Sequence, residues 1–398
     1  MSELFTPPKY FRDVIFHRHT DRTIGWLELF YDLVYVATLI QIGNFLSDNL
    51  TLLGFGQFLV MMFVVWWAWT GETLYQNRFV VDDLVHRGLV FVQIFGIAAI
   101  GLSVSKAFGD LYIQFTIGYV VVRSMMIIMY ARVYNTHPES RRFSVQFMFG
   151  FAGGIAIWLG TILLPAEIHW IGWLVAIAFE AIFFALPSIR SDLLRYGPDS
   201  HHLVERLGIF TIIVLGEAFV KVLDDAQGAS LGLTQILFGV VSMVILYTLW
   251  WLYFSDTAGT LFDAISTFKP LFYLYGHLVL AASLVSFGVA IKKLFAETIK
   301  YPTDPLTDSY RLLFTGAITM FLIALALINF GFDEEHAVYN TSLTGVIYLI
   351  VAAVVLGIGL LVTGLTATQF TVIIALVMIG LVGLSIYRTV ITSSEPAH

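Results

Sequence analysis

The sequence predicts an all-α polytopic integral membrane protein with about 12 transmembrane helices in two parallel six-helix repeats. Three observations carry this. Hydrophobic residues make up 58% of the 398 residues and charged residues 12%, against about 25% charged in a soluble domain. The mean hydropathy is +0.84. The apolar residues fall in successive runs of roughly 20, the length a helix needs to cross a ~30 Å hydrocarbon core.

Hydropathy and loop punctuation place the spans near 24–46, 54–75, 87–105, 111–131, 144–164, 167–187, 203–222, 232–254, 270–291, 310–330, 343–363 and 367–387. The turns at Pro165 and Thr363 are tight. The longer loops are Arg132–Phe143, Ser188–His202, Ser255–Lys269 and Lys292–Ser309. The first 23 residues are polar and lack the apolar core of a signal peptide. The expected organisation is an N-terminal segment (1–23), a first membrane half (24–187), a linker (188–202), a second half (203–387) and a tail (388–398).

Lys and Arg in the loops set the orientation. With the N-terminus inside, fourteen of the 21 basic residues lie on the inner side and six on the outer, and Arg123 is left within a span. Both termini are therefore expected in the cytoplasm of a cell whose cytoplasmic membrane the chain crosses. There is no cysteine, so disulfides, thiolate metal sites and cysteine nucleophiles are excluded. The net charge of −7 gives no basic patch for nucleic acid.

The repeat rests on short echoes. Trp66-Trp67-Ala68-Trp69-Thr70-Gly71-Glu72-Thr73 resembles Trp250-Trp251-Leu252-Tyr253-Phe254-Ser255-Asp256-Thr257, at an offset of 184. Gln93 meets His277 at the same offset, and at 185 Asp32 meets Glu217 and His17 meets His202. Six spans per half keep both halves in the same orientation. Transporters built this way commonly hold their site between the halves.

The polar residues inside the spans are the candidates for chemistry. Glu28 and Asp32 stand one turn apart on the same face of span one. Buried carboxylates must be paired, protonated or bound to a cation. Glu28 is expected near the cytoplasmic boundary and Asp32 a turn deeper. Glu72 and Asp256 are expected at matching ends of spans two and eight, and His277 in the inner third of span nine. Arg123 and Glu180 fall nearer mid-span, and Glu217 lies deep in span seven. On that span His202 and Arg206 are one turn apart, Arg206 and Glu217 share a stripe eleven residues long, and Glu205 is turned away from it.

Two stretches carry a resemblance. Glu28-Leu29-Phe30-Tyr31-Asp32-Leu33 opens the first span. His202-Leu203-Val204-Glu205-Arg206 leads to Leu215-Gly216-Glu217. Together with the span pattern they resemble the bacterial low-temperature-requirement A family. The resemblance implies an integral membrane protein linked by name to growth in the cold. It implies no biochemical activity.

Each feature also has an ordinary structural explanation. Acids near helix starts favour the dipole by ~0.3–1 kcal/mol. Arg123 is most simply the partner of a buried acid, and His277 a hydrogen-bonded core residue. The Trp groups anchor interfaces or fill the core, and Gly150, Gly153 and Gly154 allow close helix packing. The functional expectation is a transporter or channel-like protein for a small solute or cation, with proton coupling through the acids. Asp32 and Glu217 would be the central pair, Glu28, Glu72, Asp256 and His277 would support them, and Arg206, Arg123, His202 and Glu205 would be counter-charges. The alternatives are a membrane-embedded binding or sensing protein for a lipid or apolar cofactor, and an intramembrane metal enzyme. Against the enzyme, the sequence has no His-Glu-x-x-His, Gly-x-Ser-x-Gly or phosphate loop. No cofactor is assigned, and the expected partners are the lipid bilayer and the transported solute, with a homo-oligomer left open.

Overall fold

A computed structural model of the protein describes residues 15–16, 23–165, 167–226, 232–257, 269–332 and 340–394. Thirteen α-helices follow in order among them: α1 (Trp26–Asp48), α2 (Leu52–Arg78), α3 (Leu84–Ser103), α4 (Tyr112–Thr136), α5 (Arg141–Thr161), α6 (His169–Ala185) and α7 (Pro187–Arg195) come first. Then come α8 (Ser200–Ala226), α9 (Leu233–Thr257), α10 (Lys269–Lys300), α11 (Asp308–Gly331), α12 (Thr341–Leu361) and α13 (Ala367–Ser394). One short antiparallel pair joins β1 (Ile15–Phe16) to β2 (Phe79–Val80), in the register Ile15 to Val80. The protein is an all-α polytopic membrane protein.

Each expected span falls on a helix. Among the described residues ten helices are long and apolar enough to cross a membrane, and an eleventh span arises if α6 and α7, bent by 74° at Leu186, count together. The bend has a local cause: Pro187 cannot donate to the turn before it, and Leu186 is extended at ψ 136°. Helix α8 stands at the seventh expected span but carries Glu205, Arg206 and Glu217 within its apolar stretch, too many charges for a lipid-facing helix.

Several helices outrun their expected ends. Helix α2 continues to Arg78, with Gln76, Asn77 and Arg78 all buried. Glu72 is thus almost two turns inside the helix rather than at its end, which corrects its expected position. Helix α10 runs 32 residues, about 48 Å at 1.5 Å per residue. It continues into the first half of the expected loop because Leu294 and Phe295 are buried and no proline intervenes before Pro302. The expected linker is largely helical, formed by α7 and the start of α8.

The chain forms two compact units. One comprises residues 1–45 and 52–206, the other 46–51 and 207–398, with one boundary inside α8. In the first unit α3, α4, α5 and α6 are successive neighbours, and α2 packs on α4 and α6. Its core is aromatic: Tyr119 stacks on Trp158 at 4.0 Å, and Trp158 on Trp173 at 5.6 Å. In the second unit α10, α11 and α12 are successive neighbours, and α9 packs on α11 and α13.

Candidate functional site

Among the described residues the first unit gathers most of the buried charge. The third residue of α1, Glu28, is 2% exposed, and Asp32, one turn on, is fully buried. Arg206 on α8 meets Asp32 as a fork, with Nε donating to Oδ2 at 3.1 Å and Nη2 to Oδ1 at 2.9 Å. Trp69 Nε1 donates a third bond to Oδ1 at 2.8 Å. A planar guanidinium suits a carboxylate held at two points. Three charge-assisted bonds offset the cost of burying Asp32, so this acid is closed in an ion pair.

Glu28 is placed differently. Arg206 Nη1 comes no closer than 3.8 Å, and His202 Nε2 stands 3.1 Å from Oε2. Asn77 fixes that ring. Its Oδ1 accepts from Asp199 N at 2.6 Å and its Nδ2 donates to Asp199 O at 3.0 Å, so the amide cannot be reversed. The same Nδ2 lies 3.3 Å from His202 Nδ1. Nδ1 therefore accepts, and the ring carries its hydrogen on Nε2, on the side of Glu28.

Glu72 differs from both. It is fully buried, and its partners are carboxamides: Gln76 Nε2 donates to Oε1 at 2.6 Å and Gln93 Nε2 to Oε2 at 3.2 Å. No Lys, Arg or His among the described residues pairs with it. Gln76 links it onward, because its Oε1 accepts from Arg206 Nη1 at 3.5 Å. Glu28, Asp32, Glu72 and Arg206 thus form one connected network. Among the described residues it joins three carboxylates to one guanidinium.

An open cleft of about 440 Å³ reaches this network, lined by Trp26, Glu28, Gln76, β2, Asp82, His86 and Arg87 among others. The start of α1, the end of α2 and the start of α3 supply its walls. Asp82 and Arg87 close on each other at its rim through two bonds of 2.7 and 2.9 Å.

A second ion pair lies apart from the first. Arg123 Nη2 on α4 is 2.9 Å from Glu180 Oε2 on α6, both buried. Trp67 Nε1 donates to the same Oε2 at 2.7 Å, and Arg123 Nε to Tyr119 Oη at 3.0 Å. Arg123 therefore has the buried acid its depth demands. A third pair, Arg132 to Asp83 at 2.6 Å, ties α4 to the start of α3, where Asp83 also caps the helix through His86 N.

The other expected residues lie elsewhere. His277, in the second unit, is bonded on both ring nitrogens: Nδ1 to Tyr273 O at 2.7 Å and Nε2 to Tyr253 Oη at 2.9 Å. Glu217 is half-buried in the second unit, and Glu205 is exposed, on the side of α8 away from Arg206. Glu205 is therefore no counter-charge to the buried acids. The side chain of Asp256 lies outside the described residues. Among the described residues no three of His, Asp and Glu stand together as metal ligands do.

Sequence reasoning missed Gln76, Asn77, His86 and the pair Asp83–Arg132. It also read the Trp66–Trp69 group as packing or interface anchors, whereas Trp67 and Trp69 each donate to a buried acid. The signal was their place on the same helix as Glu72, at spacings that face different neighbours.

A family model described as the bacterial low temperature requirement A protein matches residues 23–382. The chain belongs to this family. The uncharacterized protein RA0937 of Rhizobium meliloti (strain 1021) is 26% identical over 288 residues, covering 67% of this chain and 68% of the relative. The match takes in both the Glu28–Leu33 stretch and the His202–Glu217 stretch within the family boundaries.

Proposed function

We propose that this family member is a transporter or channel-like protein of the bacterial cytoplasmic membrane, with both termini inside, that moves a small solute or cation and handles protons at its buried acids. One observation carries the reading: Glu72 is fully buried, its bonds come from the carboxamides of Gln76 and Gln93, and no Lys, Arg or His among the described residues pairs with it. Leaving unpaired charge at this depth costs several kcal/mol. A carboxylate in such surroundings is favoured by taking up a proton or a cation. Glu72, held by two carboxamides, can gain or lose a proton without breaking an ion pair. The cleft gives the network a route to one face of the membrane.

The parallel-repeat reading belongs to the same proposal. It is supported by the matching neighbour order of the units, α3–α4–α5 with α2 on α4 and α10–α11–α12 with α9 on α11. In that scheme Glu217 is the counterpart of Asp32, and Asp256 of Glu72. The cleft also gives a specific basis for a second reading, a binding or sensing protein. Reconstitution in liposomes with an internal pH dye separates the two. Proton or cation flux is expected in the native chain and its loss in Glu72→Gln. Flux unchanged in Glu72→Gln, Asp32→Asn and Glu217→Gln would overturn the transporter reading.

A further inference from the structure

We propose that the buried site at Glu72 takes a bare proton, carried on Oε2, in preference to a metal or organic cation, and that Gln93 sets this preference by turning its amide to receive the new O–H. The inference deepens the reading of Glu72 as a proton-handling acid and rests on it. Both oxygens of Glu72 face amide N–H groups: Gln76 Nε2 donates to Oε1 at 2.6 Å and Gln93 Nε2 to Oε2 at 3.2 Å. Asp32 and Glu180 each face a guanidinium at 2.9 Å, so protonating either would break an ion pair. Glu72 has no such pair among the described residues.

The donor set decides the ion. A metal cation is held by oxygen atoms, about six to eight of them for calcium, at about 2.3–2.6 Å. At Glu72 both carboxylate oxygens already accept N–H hydrogens, which would face such an ion and repel it. Among the described residues no three of His, Asp and Glu gather as metal ligands do. An ammonium or guanidinium ligand brings a body with it, and Glu72 is 0% exposed, which leaves that body no surface to approach. A proton needs neither a ligand shell nor room. It needs an oxygen to sit on and, afterwards, an acceptor for the O–H.

The two amides are not equivalent. Gln76 Oε1 accepts from Arg206 Nη1 at 3.5 Å, which turns Nε2 towards Glu72. Oε1 of Glu72 therefore stays an acceptor, and the proton belongs on Oε2. On that side Gln93 is fully buried, and its Oε1 has no hydrogen-bond partner among the described residues. Buried polar atoms are nearly always bonded, and an exception needs a cause. A carboxylate asks Gln93 for an N–H, whereas a carboxylic acid asks it for an acceptor. The idle Oε1 supplies that acceptor on the same amide. The last torsion of a Gln side chain is broad, so the turn is easy. The bonds it loosens are long, 3.2 Å to Glu72 and 3.4 Å to Val122 O, and Val122 lies inside α4, where its carbonyl has a helical partner. In the balance one hydronium in solution becomes water and one carboxylate becomes a carboxylic acid. Gln93 exchanges hydrogen bonds alone.

Among the described residues the charges within electrostatic reach of Glu72 include Arg206 on α8 and Glu28 on α1. Tyr31 and Tyr35 on α1, Tyr75 on α2 and Tyr130 on α4 add phenols. Phenols ordinarily titrate near pH ~10 and arginine stays charged, and Asp32 is closed in its fork, so Glu28 is the neighbour to control for. The test uses the full chain in phosphatidylcholine nanodiscs and infrared difference spectra between mildly alkaline and mildly acidic buffer. Acidification should raise a buried carboxyl C=O band that Glu72→Gln removes and Glu28→Gln keeps. A glutamine amide band should change in step with it and vanish in Gln93→Met. In that variant the carboxyl band should move to higher wavenumber, because the O–H has lost its acceptor. Sodium, potassium and calcium chlorides probe the other cations. The midpoint should ignore them, whereas a competing ion would lower it by about one pH unit per tenfold of salt. If Gln93→Met does not fold, the native chain with isotope-labelled glutamine amide carbons decides: a label-sensitive band rising with the carboxyl band supports the inference, and none overturns it. A midpoint that follows any of the salts, or a Glu72 band without a glutamine amide change, would overturn this inference alone. No band removed by Glu72→Gln would overturn it together with the proton-handling reading. Both bands without flux in liposomes would sink the transporter reading and leave this one supported.

Discussion

Arg123 on α4 and Glu180 on α6 face each other at 2.9 Å in space left by two missing side chains. A Cβ on Gly71 would collide with Arg123 Nη1, and one on Gly154 with Glu180 Oε1. Neither charged group can step aside, because both are buried and bonded to Trp67. Gly71→Ala and Gly154→Ala are each expected to cost about 1–3 kcal/mol. Gly56→Ala on α2, where nothing lies within 4 Å, should be neutral or slightly stabilising. Thermal unfolding in detergent, followed by circular dichroism, compares the three. Equal behaviour would mean that the pair does not need the glycines.

The fork between Arg206 and Asp32 predicts a non-additive pair. Arg206→Met leaves Asp32 buried without its cation and should cost about 3–5 kcal/mol. Asp32→Asn should be similarly damaging. The double variant removes both charges and is expected to recover most of the loss. Thermal midpoints of all four proteins close the cycle, and additive losses would argue against a coupled pair.

Glu72→Gln should behave differently. The amide has the same shape and can still bond to Gln76 and Gln93, so the expected stability change is within about 1 kcal/mol. Any flux, by contrast, should vanish. A well-folded, silent Glu72→Gln protein beside a destabilised Asp32→Asn protein would separate the proton carrier from the structural pair. The opposite order of stabilities would reverse those roles.

His277 is expected to act as a fastener of the second unit. Tyr253→Phe removes the hydroxyl at 2.9 Å from Nε2 and leaves a buried acceptor unpaired, a loss of about 1–3 kcal/mol. Any flux per folded molecule should be unchanged. A selective loss of flux at native stability would return His277 to the functional site.

The membrane class and span positions were legible because they depend on local composition. Runs of apolar residues report the bilayer directly, and even α8 and the broken α6–α7 lie where hydropathy put them. Arg123 was legible as half of an ion pair, since its depth requires an acid. Which acid it meets was not, because pairing depends on helix rotation and packing. For the same reason Asp32 read as a candidate carrier, when it is closed in a fork with Arg206. Glu72 read as an interfacial acid because the polar run Gln76-Asn77-Arg78 looks like a loop. Those residues continue the helix by bonding into the buried network, a compensation that periodicity does not reveal.

Asp32 and Arg206 are separated by 174 residues. Synthesis at about 5–20 residues per second places roughly 10–35 s between the emergence of the acid and that of its cation. Over that interval α1 must wait in or beside the bilayer with a buried carboxylate and no guanidinium to meet it. Trp69, only 37 residues downstream, is the first partner to arrive. Until α8 inserts, Asp32 is held by a bond from an indole and by whatever proton it carries. A chain truncated before Arg206 should therefore be a target for membrane proteolysis, however complete its first six helices are.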